Sequence, residues 1–413
     1  MAQVDFTLSQ EEVLEVLSTD RDSAFKFIVE KILNQVMLAE SEMQLGAMMH
    51  ERTEKRTDYR NGFRTRMYTT RVGTIELRVP RHRNLPFCTM VFENYCRSEA
   101  SLLATMVQMV IDGVSTRKVA NVVDLLCGES FSKSTVSELC KRLDEEINEF
   151  RNRSLTDYEC PFLMLDATYF KTRENHRVVS KSFMIATAVK GDGSREIIGF
   201  DVYDNESNDT WRDFVRRLKA RGLKDVGMVI SDGHKSIRHT IIHELHGAAW
   251  QRCQFHFTKN IVDAIPKKYK KGIATELREM FNSETIQEAR ARKDEIIKDY
   301  EDIAPRAMET LDLGFDDSMT VLLLPKHMRR VLRTTNPIER VNGELKRRSD
   351  VIRIFPNPDS ILRLMGSVAM EYNDVLVTRR HAFGRPTYEQ YKKVCRPKLI
   401  KLAETQPSLL EAA

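Results

Sequence analysis

The hydrophobic residues near the start of the chain recur at helical spacing. Ala24, Phe27, Ile28 and Ile32 fall on one face of a helix. Residues 1–50 are therefore expected to form an N-terminal helical region, which serves either as a small bundle or as a dimer contact.

Residues 51–98 change to an alternating pattern. From Arg66 to Val79, apolar and polar residues alternate around Val72, Gly73 and Thr74. This pattern predicts a β-hairpin that carries arginines on its outward face.

Residues 99–155 return to helical spacing. They predict three helices, at Leu102–Ile111, Thr116–Leu126 and Thr135–Phe150. Thr135 and Glu138 predict a capping box at the third helix. The spacing is that of a helix-turn-helix DNA-binding domain, although any three-helix packing shows similar breaks.

Residues 156–256 mix strand and helix patterns. Strands are predicted at Phe162–Leu165, Phe183–Val189, Glu196–Tyr203, Val226–Ile230 and Ala248–Cys253, and helices at Thr210–Ala220 and Lys235–Leu245. Three strands, helix, strand, helix, strand is the order of a ribonuclease H-like α/β core. In that fold the first and fourth strands are neighbours.

The strand pattern is lost after residue 256. Residues 257–330 predict an all-α insertion, and residues 331–380 predict the second part of the core, which opens with a helix at Pro337. Residues 381–413 form a C-terminal tail that is basic at first and weakly patterned after Thr405.

Composition narrows the protein class. The 413 residues are 41% hydrophobic and 30% charged, with a net charge of +5, as in a globular protein. No apolar run approaches the roughly 18 residues of a membrane span, and the first residues lack a signal pattern, so a cytoplasmic protein without membrane contact is expected. The seven cysteines show no C-x-x-C pair and are expected to be reduced.

Positive charge is concentrated in the predicted hairpin region. Between Arg52 and Arg83 there are ten lysine and arginine residues against three acids. Such a surface is either solvated or binds DNA phosphates. The expected DNA-binding residues are Arg60, Arg64, Arg66, Arg78 and Arg81 in the hairpin, and Lys133, Ser134, Ser137 and Lys141 in the recognition helix.

Three carboxylates follow structured segments of the predicted core. Asp166 lies in a buried apolar run, Asp232 follows a second such run 66 residues later, and Glu339 lies in a helix that Thr335 or Asn336 caps. A buried carboxylate is unfavourable unless a cation pairs with it. Acids at strand ends are more often surface or capping residues, but three of them from two strands and a helix suit a pair of Mg²⁺ ions.

The order of motifs resembles the mutator-type family of DDE transposases of bacterial insertion sequences. The matching segments are Tyr59–Gly62, Leu165–Ala167, Ser231–Gly233, Cys253–His256, Thr335–Arg340 and Arg353–Asn357. The resemblance covers nearly the whole chain, and each motif would be weak alone.

The resemblance implies a specific reaction. It implies cleavage of double-stranded DNA at transposon ends and strand transfer into target DNA, with Asp166, Asp232 and Glu339 as ligands of two Mg²⁺ ions that Mn²⁺ replaces. It also implies a bacterial, nucleoid-associated protein. Because transposition joins two DNA ends and one set of the three acids offers one reaction centre, a homodimer that holds two ends is expected.

Further residues are expected beside this site. His256 is expected either near the scissile phosphate or in a purely structural role with Cys253, and Cys253, Asn336 and Asn342 are expected as supporting residues. The basic run of Lys346, Arg347 and Arg348 on the Glu339 helix is expected either to contact DNA phosphate or to be solvated.

Two other functions remain open on the sequence alone. A catalytically inactive DNA-binding regulator derived from a transposase would not need all three acids. A glycosidase-like hydrolase would explain two carboxylates but not the basic hairpin.

Overall fold

The computed structural model describes residues 9–18, 21–51, 53–54, 56–70, 73–92, 100–127, 131–157 and 159–411. The chain divides into two compact units, unit 1 (Met1–Arg142) and unit 2 (Leu143–Ala413). Among the described residues, no helix is long and apolar enough to cross a membrane. Cys88, Cys140, Cys160, Cys253 and Cys395 are free thiols.

Unit 1 combines helices with a β-hairpin. Its elements are α1 (Gln10–Ser18), α2 (Arg21–Leu45), β1 (Arg60–Thr70), β2 (Gly73–His82), α3 (Ala100–Ile111), α4 (Thr116–Cys127) and α5 (Lys133–Cys140). The predicted hairpin is confirmed, since β1 and β2 pair antiparallel from Thr70 and Gly73 outward. Val72 of the predicted turn lies outside the described residues, as do the basic residues Arg52, Lys55 and Arg71 and one of the seven cysteines, Cys96.

One face of the hairpin is apolar because its residues alternate. Tyr68, Ile75 and Leu77 are buried together with Met37 of α2 and with Phe92. The opposite face keeps its polar side chains in solvent.

The third predicted helix of residues 99–155 is wrong in extent. The segment Thr135–Phe150 is two helices, α5 and α6 (Leu143–Asn152). The predicted capping box is also wrong, because Ser132 is the N-cap of α5 and its hydroxyl oxygen accepts the Thr135 N–H at 3.0 Å. The cap therefore lies three residues earlier than the pattern indicated.

Unit 2 is a mixed α/β unit built on one sheet. After α6 its elements are β3 (Phe162–Glu174), β4 (Arg177–Val189), β5 (Arg195–Tyr203), α7 (Asn208–Ala220), β6 (Met228–Ser231), α8 (Lys235–Glu244), β7 (Ala249–Arg252), α9 (Gln254–Asp263), α10 (Lys270–Phe281), α11 (Ile286–Tyr300), α12 (Pro305–Ser318), a 3₁₀ turn (Thr320–Leu323), α13 (Lys326–Leu332), α14 (Asn336–Ser349), β8 (Ile354–Phe355), α15 (Pro358–Val377), α16 (Arg385–Gln390), a π-helical turn (Tyr391–Cys395) and α17 (Arg396–Glu411).

The strand order of this sheet is β5-β4-β3-β6-β7, and β8 also pairs with β3. The first three strands are antiparallel, whereas β6, β7 and β8 run parallel to β3 or to each other. The predicted contact between the first and fourth strands is confirmed, because β3 pairs with β6 from Phe162 to Met164. However, β3 does not end near Asp166; it continues to Glu174 because it pairs with β4 along its whole length.

Helices cover both faces of the sheet. Leu163 and Leu165 of β3 share a core with Trp211 of α7 and Ile237 of α8. Helix α15 approaches β5 so closely that a Cβ at Gly366 would lie 2.9 Å from the Phe200 ring, which explains the glycine.

The predicted all-α stretch after residue 256 is helical and has a core of its own. Phe257, Ile273, Leu277, Ala289 and Leu311, from α9 to α12, are buried together. These helices separate β7 from the helix that carries Glu339.

The C-terminal residues are ordered against the sheet, although their pattern is weak. Tyr391 packs on Phe162 with ring centroids 4.8 Å apart. The Gln406 side chain accepts the Trp250 N–H at 2.8 Å and donates to the Trp250 carbonyl at 2.9 Å. The last helix thus holds the outer strand β7 in place.

Candidate active site

Asp166 lies in the part of β3 that pairs with β4 but with neither β6 nor β8. Its last parallel partner toward β6 is Met164, two residues earlier, and pairing toward β8 resumes only at Lys171. The Asp166 residue is only 7% exposed. Its Oδ2 accepts a hydrogen bond from Asn342 Nδ2 at 3.0 Å, and its Oδ1 accepts the Ala167 N–H at 2.9 Å.

The other two acids are close enough to act on this carboxyl. Burial, the negative charge of Asp232 and, more weakly, that of Glu339 raise the pKa of Asp166 to about 7. The positive charge of His256 and the Ala167 N–H oppose this rise. The structure thus brings Asp166, Asp232 and Glu339 into one electrostatic cluster.

Asp232 is positioned by the end of β6. It follows Ser231, the last residue of that strand, and its Oδ1 accepts the His234 N–H at 3.0 Å before α8 begins. Because β3 and β6 are parallel neighbours, both acids belong to the same edge of the sheet.

Glu339 is positioned by the first turn of α14. Thr335 is the N-cap residue, and its hydroxyl oxygen lies 3.3 Å from both Glu339 Oε1 and Cys253 Sγ, which share its one proton as acceptors. The Thr335 N–H also points at Cys253 Sγ, at 3.4 Å. Cys253, at the start of α9, therefore fixes the loop from which the Glu339 helix begins.

His256 lies beside both Glu339 and Cys253. Its Nε2 is 3.8 Å from Glu339 Oε1. Interaction with the Cys253 sulfur, followed by the charges of Asp166 and Glu339, raises the pKa of His256 to about 9, although burial opposes the rise. Ligand atoms of Cys253, His256 and Glu339 all lie within 4.8 Å of one another, so this group can also hold a metal ion.

The donor chemistry of the three acids fits divalent cations. Within the described part of the chain, Asp166, Asp232 and Glu339 form no ion pair with lysine or arginine. Three clustered carboxylates without such a partner repel each other until a cation binds. Oxygen ligands favour Mg²⁺ or Mn²⁺, whereas the Cys253 sulfur would favour a softer metal.

A fourth carboxylate, Glu206, was not predicted. It lies between β5 and α7. Burial and the negative charge of Asp232 raise the pKa of Glu206, whereas the charge of His234 opposes this rise. The Tyr169 hydroxyl and the Trp211 ring face this carboxylate. Its position after a strand at the same sheet edge as Asp232 was the signal that could have identified it.

The predicted hairpin arginines have different environments. Arg64, Arg78 and Arg81 are exposed. Arg66 lies over the Phe92 ring at 4.1 Å, and the Arg60 guanidinium donates to backbone carbonyls of the α2–β1 connection and pairs with Glu42 at 3.4 Å. The charge of Arg60 is therefore used within unit 1.

The predicted recognition-helix residues are exposed. Lys133, Ser134 and Ser137 lie on the outer side of α5, whereas Val136 and Cys140 are buried. Lys141 follows the helix and pairs with Glu138 at 2.7 Å. α5 therefore presents a polar face that carries Lys133 and Glu138.

The basic run on α14 is divided between solvent and core. Lys346 and Asn336 are exposed, and Arg347 pairs with Glu344 at 2.7 Å. Arg348 is 7% exposed and lies 3.3 Å from Glu371 of α15. Arg348 is therefore buried against α15, whereas its expected phosphate contact stays a prediction.

Comparison with known proteins extends over nearly the whole chain. Residues 1–378 match the family model described as "Transposase, Mutator family". The transposase for insertion sequence element IS256 in transposon Tn4001 of Staphylococcus aureus is 44% identical over 377 residues, which are 91% of this chain and 96% of that protein. The transposase for ISRM5 of Rhizobium meliloti is 36% identical over 394 residues, 95% of this chain and 98% of that protein. The transposase for IS1081 of Mycobacterium tuberculosis is 36% identical over 350 residues, 84% of each chain.

Proposed function

Because this chain belongs to the Mutator family of transposases of bacterial insertion sequences, we propose that Asp166, Asp232 and Glu339 are the metal ligands of its reaction centre. The protein is an insertion-sequence transposase. In this proposal it binds the ends of its element, cleaves DNA there and transfers the cut strands to target DNA. Two Mg²⁺ ions assist the reaction, and Mn²⁺ replaces them.

The observation that carries the proposal is the environment of Asp166. Its carboxylate is buried, forms no ion pair with the described residues, and has Asp232 and Glu339 as like-charged neighbours whose effect the charge of His256 opposes. Bound cations would remove this repulsion. Strand order supports the same conclusion, because an antiparallel β5-β4-β3 group beside parallel β6 and β7 is the arrangement expected of a ribonuclease H-like core.

The side chains around the acids orient them. Asn342 holds Asp166 through Oδ2, and Thr335 holds Glu339 through Oε1. When bound, two divalent ions activate the attacking oxygen and stabilise the leaving oxygen of a phosphodiester. His256, whose pKa is about 9, carries its proton at neutral pH and places a positive charge 3.8 Å from Glu339, where it attracts the scissile phosphate.

DNA recognition is assigned to unit 1. Arg64, Arg78 and Arg81 on the hairpin and the exposed face of α5 supply phosphate contacts and base readout. Lys346 and Arg347 add phosphate contacts beside the reaction centre. A homodimer would supply one centre for each of two ends.

The proposal is tested by Asp166→Asn, Asp232→Asn and Glu339→Gln. Each is expected to abolish cleavage and strand transfer in Mg²⁺ and in Mn²⁺ while end DNA still binds, since only metal coordination is removed. Asp350→Asn, which changes an exposed acid just after α14, is the matched control and should keep full activity.

Two results would contradict this assignment. Substantial cleavage by any one of the three variants would remove that acid from the metal site. A wild-type protein that binds ends but never cuts them in either metal would favour the inactive regulator.

A further inference from the structure

A basic cleft lies in unit 2 between the connection of α10 with α11 and the helix α13. Its volume is about 190 Å³. Residues 281–284 form one side, and four cationic side chains line the other side: Lys326, Arg329, Arg330 and Arg333. The four cations lie on one face of α13 and its C-terminal end because they follow the first one by three, four and seven residues. We call this site the α13 cleft.

The charge of the α13 cleft is only partly balanced. Of the described residues that line it, Glu284 is the only acid, and its Oε1 lies 2.5 Å from Lys326 Nζ. Both side chains of this ion pair are exposed, and such pairs contribute little. The arginines therefore keep an excess of positive charge in the cleft.

Arg329 fixes the walls of the cleft. Its guanidinium donates hydrogen bonds to the carbonyls of Leu322 and Leu324 at 2.9 Å, and to the carbonyl of Glu284 at 3.1 Å. These contacts hold α13 against the preceding 3₁₀ turn and against the α10–α11 connection. Because carbonyl oxygens carry no net charge, the bonds orient Arg329 without neutralising it.

The other donors of the cleft have no charged partner. Arg330 is exposed and, within the part of the chain that the structure describes, forms no ion pair or side-chain hydrogen bond. Arg333 is half-buried and donates to the neutral Asn282 side chain at 2.8 Å, and burial and the charge of Arg330 lower the pKa of Arg333. Ser283 is 5% exposed and also lines the cleft, and its hydroxyl has no hydrogen-bond partner.

This set of donors favours a bound phosphate group. Cations held close together repel one another until a counterion binds, and the planar fork of arginine matches two phosphate oxygens. A serine hydroxyl can donate to a further oxygen. A phosphate therefore satisfies the cleft better than a carboxylate, which offers only two oxygens.

A short loop joins the α13 cleft to the proposed reaction centre. The Arg333 carbonyl accepts the N–H of Gln254, the residue after Cys253, at 3.0 Å. One residue separates Arg333 from Thr335, the N-cap of the helix that carries Glu339. The last cation of the cleft and the cap of the Glu339 helix are thus held by the same few residues.

We propose that the α13 cleft binds a backbone phosphate of the DNA that the reaction centre holds. The inference rests on the proposed function, because it assigns the phosphate to the DNA on which the transposase acts. It gives the helices between β7 and α14 a role in DNA binding, in addition to the contacts assigned to unit 1.

The first test measures binding of the full-length protein to a duplex that carries the element's end, in a metal chelator and at several salt concentrations. Arg330→Gln and Arg333→Gln are compared with the wild type. Arg306→Gln is the matched control, because Arg306 is an exposed arginine of α12 that does not line the cleft.

Both cleft variants are expected to weaken binding about tenfold. Each should also reduce the steepness of the log affinity against log salt plot by about 0.9, the value for one phosphate. The control should change neither quantity. An equal weakening by Arg306→Gln would assign the effect to the overall charge of the protein and overturn the proposal.

A second measurement locates the phosphate. Single phosphates of the end duplex are replaced in turn by an uncharged methylphosphonate. At the position that occupies the cleft, the replacement should weaken binding of the wild type about tenfold but should not weaken binding of Arg330→Gln any further, since the two changes remove the same contact. Arg306→Gln should respond as the wild type does.

A structural role for these arginines gives a different result. Arg330 is exposed and unpaired, so Arg330→Gln should leave the thermal unfolding temperature of the DNA-free protein unchanged. Arg333→Gln removes the hydrogen bond to Asn282, and Arg330→Gln therefore decides the matter even if Arg333→Gln is less stable. Weaker binding by Arg330→Gln that comes with a lower unfolding temperature and with the wild-type methylphosphonate pattern would assign Arg330 to the fold instead.

Unchanged affinity and salt dependence for Arg330→Gln would also overturn the proposal. Because binding is measured without metal, the result is independent of whether Asp166, Asp232 and Glu339 hold the catalytic ions. A wild-type protein that uses the cleft but never cuts in Mg²⁺ or Mn²⁺ would contradict the proposed function and leave the cleft assignment standing.

Discussion

Replacement of Asp166 by asparagine is expected to stabilise the protein when no divalent metal is present. Burial and Asp232 raise the pKa of this carboxyl from 3.8 to about 7. Each unit of pKa difference between folded and unfolded protein corresponds to about 1.4 kcal/mol. The ionised carboxylate therefore lowers the free energy of unfolding by about 4 kcal/mol once the pH exceeds the folded pKa.

The sign of the pH dependence follows from proton binding. Between pH 3.8 and about pH 7, Asp166 is protonated in a larger fraction of folded molecules than of unfolded chains. The contribution of this group to stability therefore falls as the pH rises. Above that window the destabilisation is constant. Asp166→Asn removes this destabilisation. The free energy of unfolding of the variant should exceed that of the wild type by nearly zero at the acid end of this pH window and by about 4 kcal/mol at its alkaline end.

The surrounding hydrogen bonds tolerate the substitution. Asn342 Nδ2 now donates to Asp166, whereas the buried Asn342 Oδ1 has no partner. A turn of the Asn342 amide would present Oδ1 to the amide introduced at position 166. The gain should therefore not be cancelled by an unpaired buried group.

The assay is urea unfolding in a metal chelator at several pH values between about 5 and about 8. Asp201→Asn is the matched control, because Asp201 is 8% exposed but pairs with Arg217 at 2.8 Å and also with Arg151, so its replacement should destabilise the fold. Added Mg²⁺ should narrow the gap between wild type and Asp166→Asn. A variant that is less stable than wild type at the alkaline end, or whose advantage does not change with pH, would refute the reasoning.

Two further predictions concern DNA binding and assembly. A fragment ending at Arg142, the last residue of unit 1, should bind the element's end by itself, with a log affinity against log salt slope of about −0.9 per phosphate contact; a gel shift without sequence preference would count against it. The active species should be a homodimer on paired ends, so light scattering should show two subunits with end DNA, and mixing wild-type with Asp166→Asn subunits should reduce paired-end strand transfer in proportion to mixed dimers. Complete paired-end transfer by a protein that stays monomeric on DNA would rule the dimer out.

The sequence pattern was sufficient to locate the hairpin and most strands of the core. The hairpin of unit 1 and the strands β4 to β7 follow from alternation or from short apolar runs. Adjacency of β3 and β6 followed from the order of elements. These features depend on local periodicity and on a small number of allowed topologies.

Boundaries set by distant partners could not be predicted. β3 runs past Asp166 to Glu174 because β4 pairs with it and because Phe355, far along the chain, accepts the Thr172 hydroxyl hydrogen bond. The break between α5 and α6 has no glycine or proline to mark it. In both cases tertiary contacts decide where the element ends.

The burial of Arg348 could have been predicted from the sequence alone. Ile338, Val341 and Leu345 form the buried stripe of α14, and Arg348 is the next position on that stripe. Its charge suggested a DNA contact, whereas its periodicity indicated the core. For Glu206 the pattern offered only its place after a strand, since its proximity to Asp232 depends on how the sheet folds.

Long-range contacts also set the time at which a newly made chain becomes capable of reaction. The partner of Asp166, Asn342, lies 176 residues further along, and the Phe355 partner of Thr172 lies 183 residues further along. At a synthesis rate of about 5 to 20 residues per second, Asp166 leaves the ribosome roughly 9 to 35 s before Asn342 does. Unit 1 is complete well before then. If unit 1 binds DNA ends as proposed, nascent or truncated chains that already contain it would occupy the ends without being able to cut them.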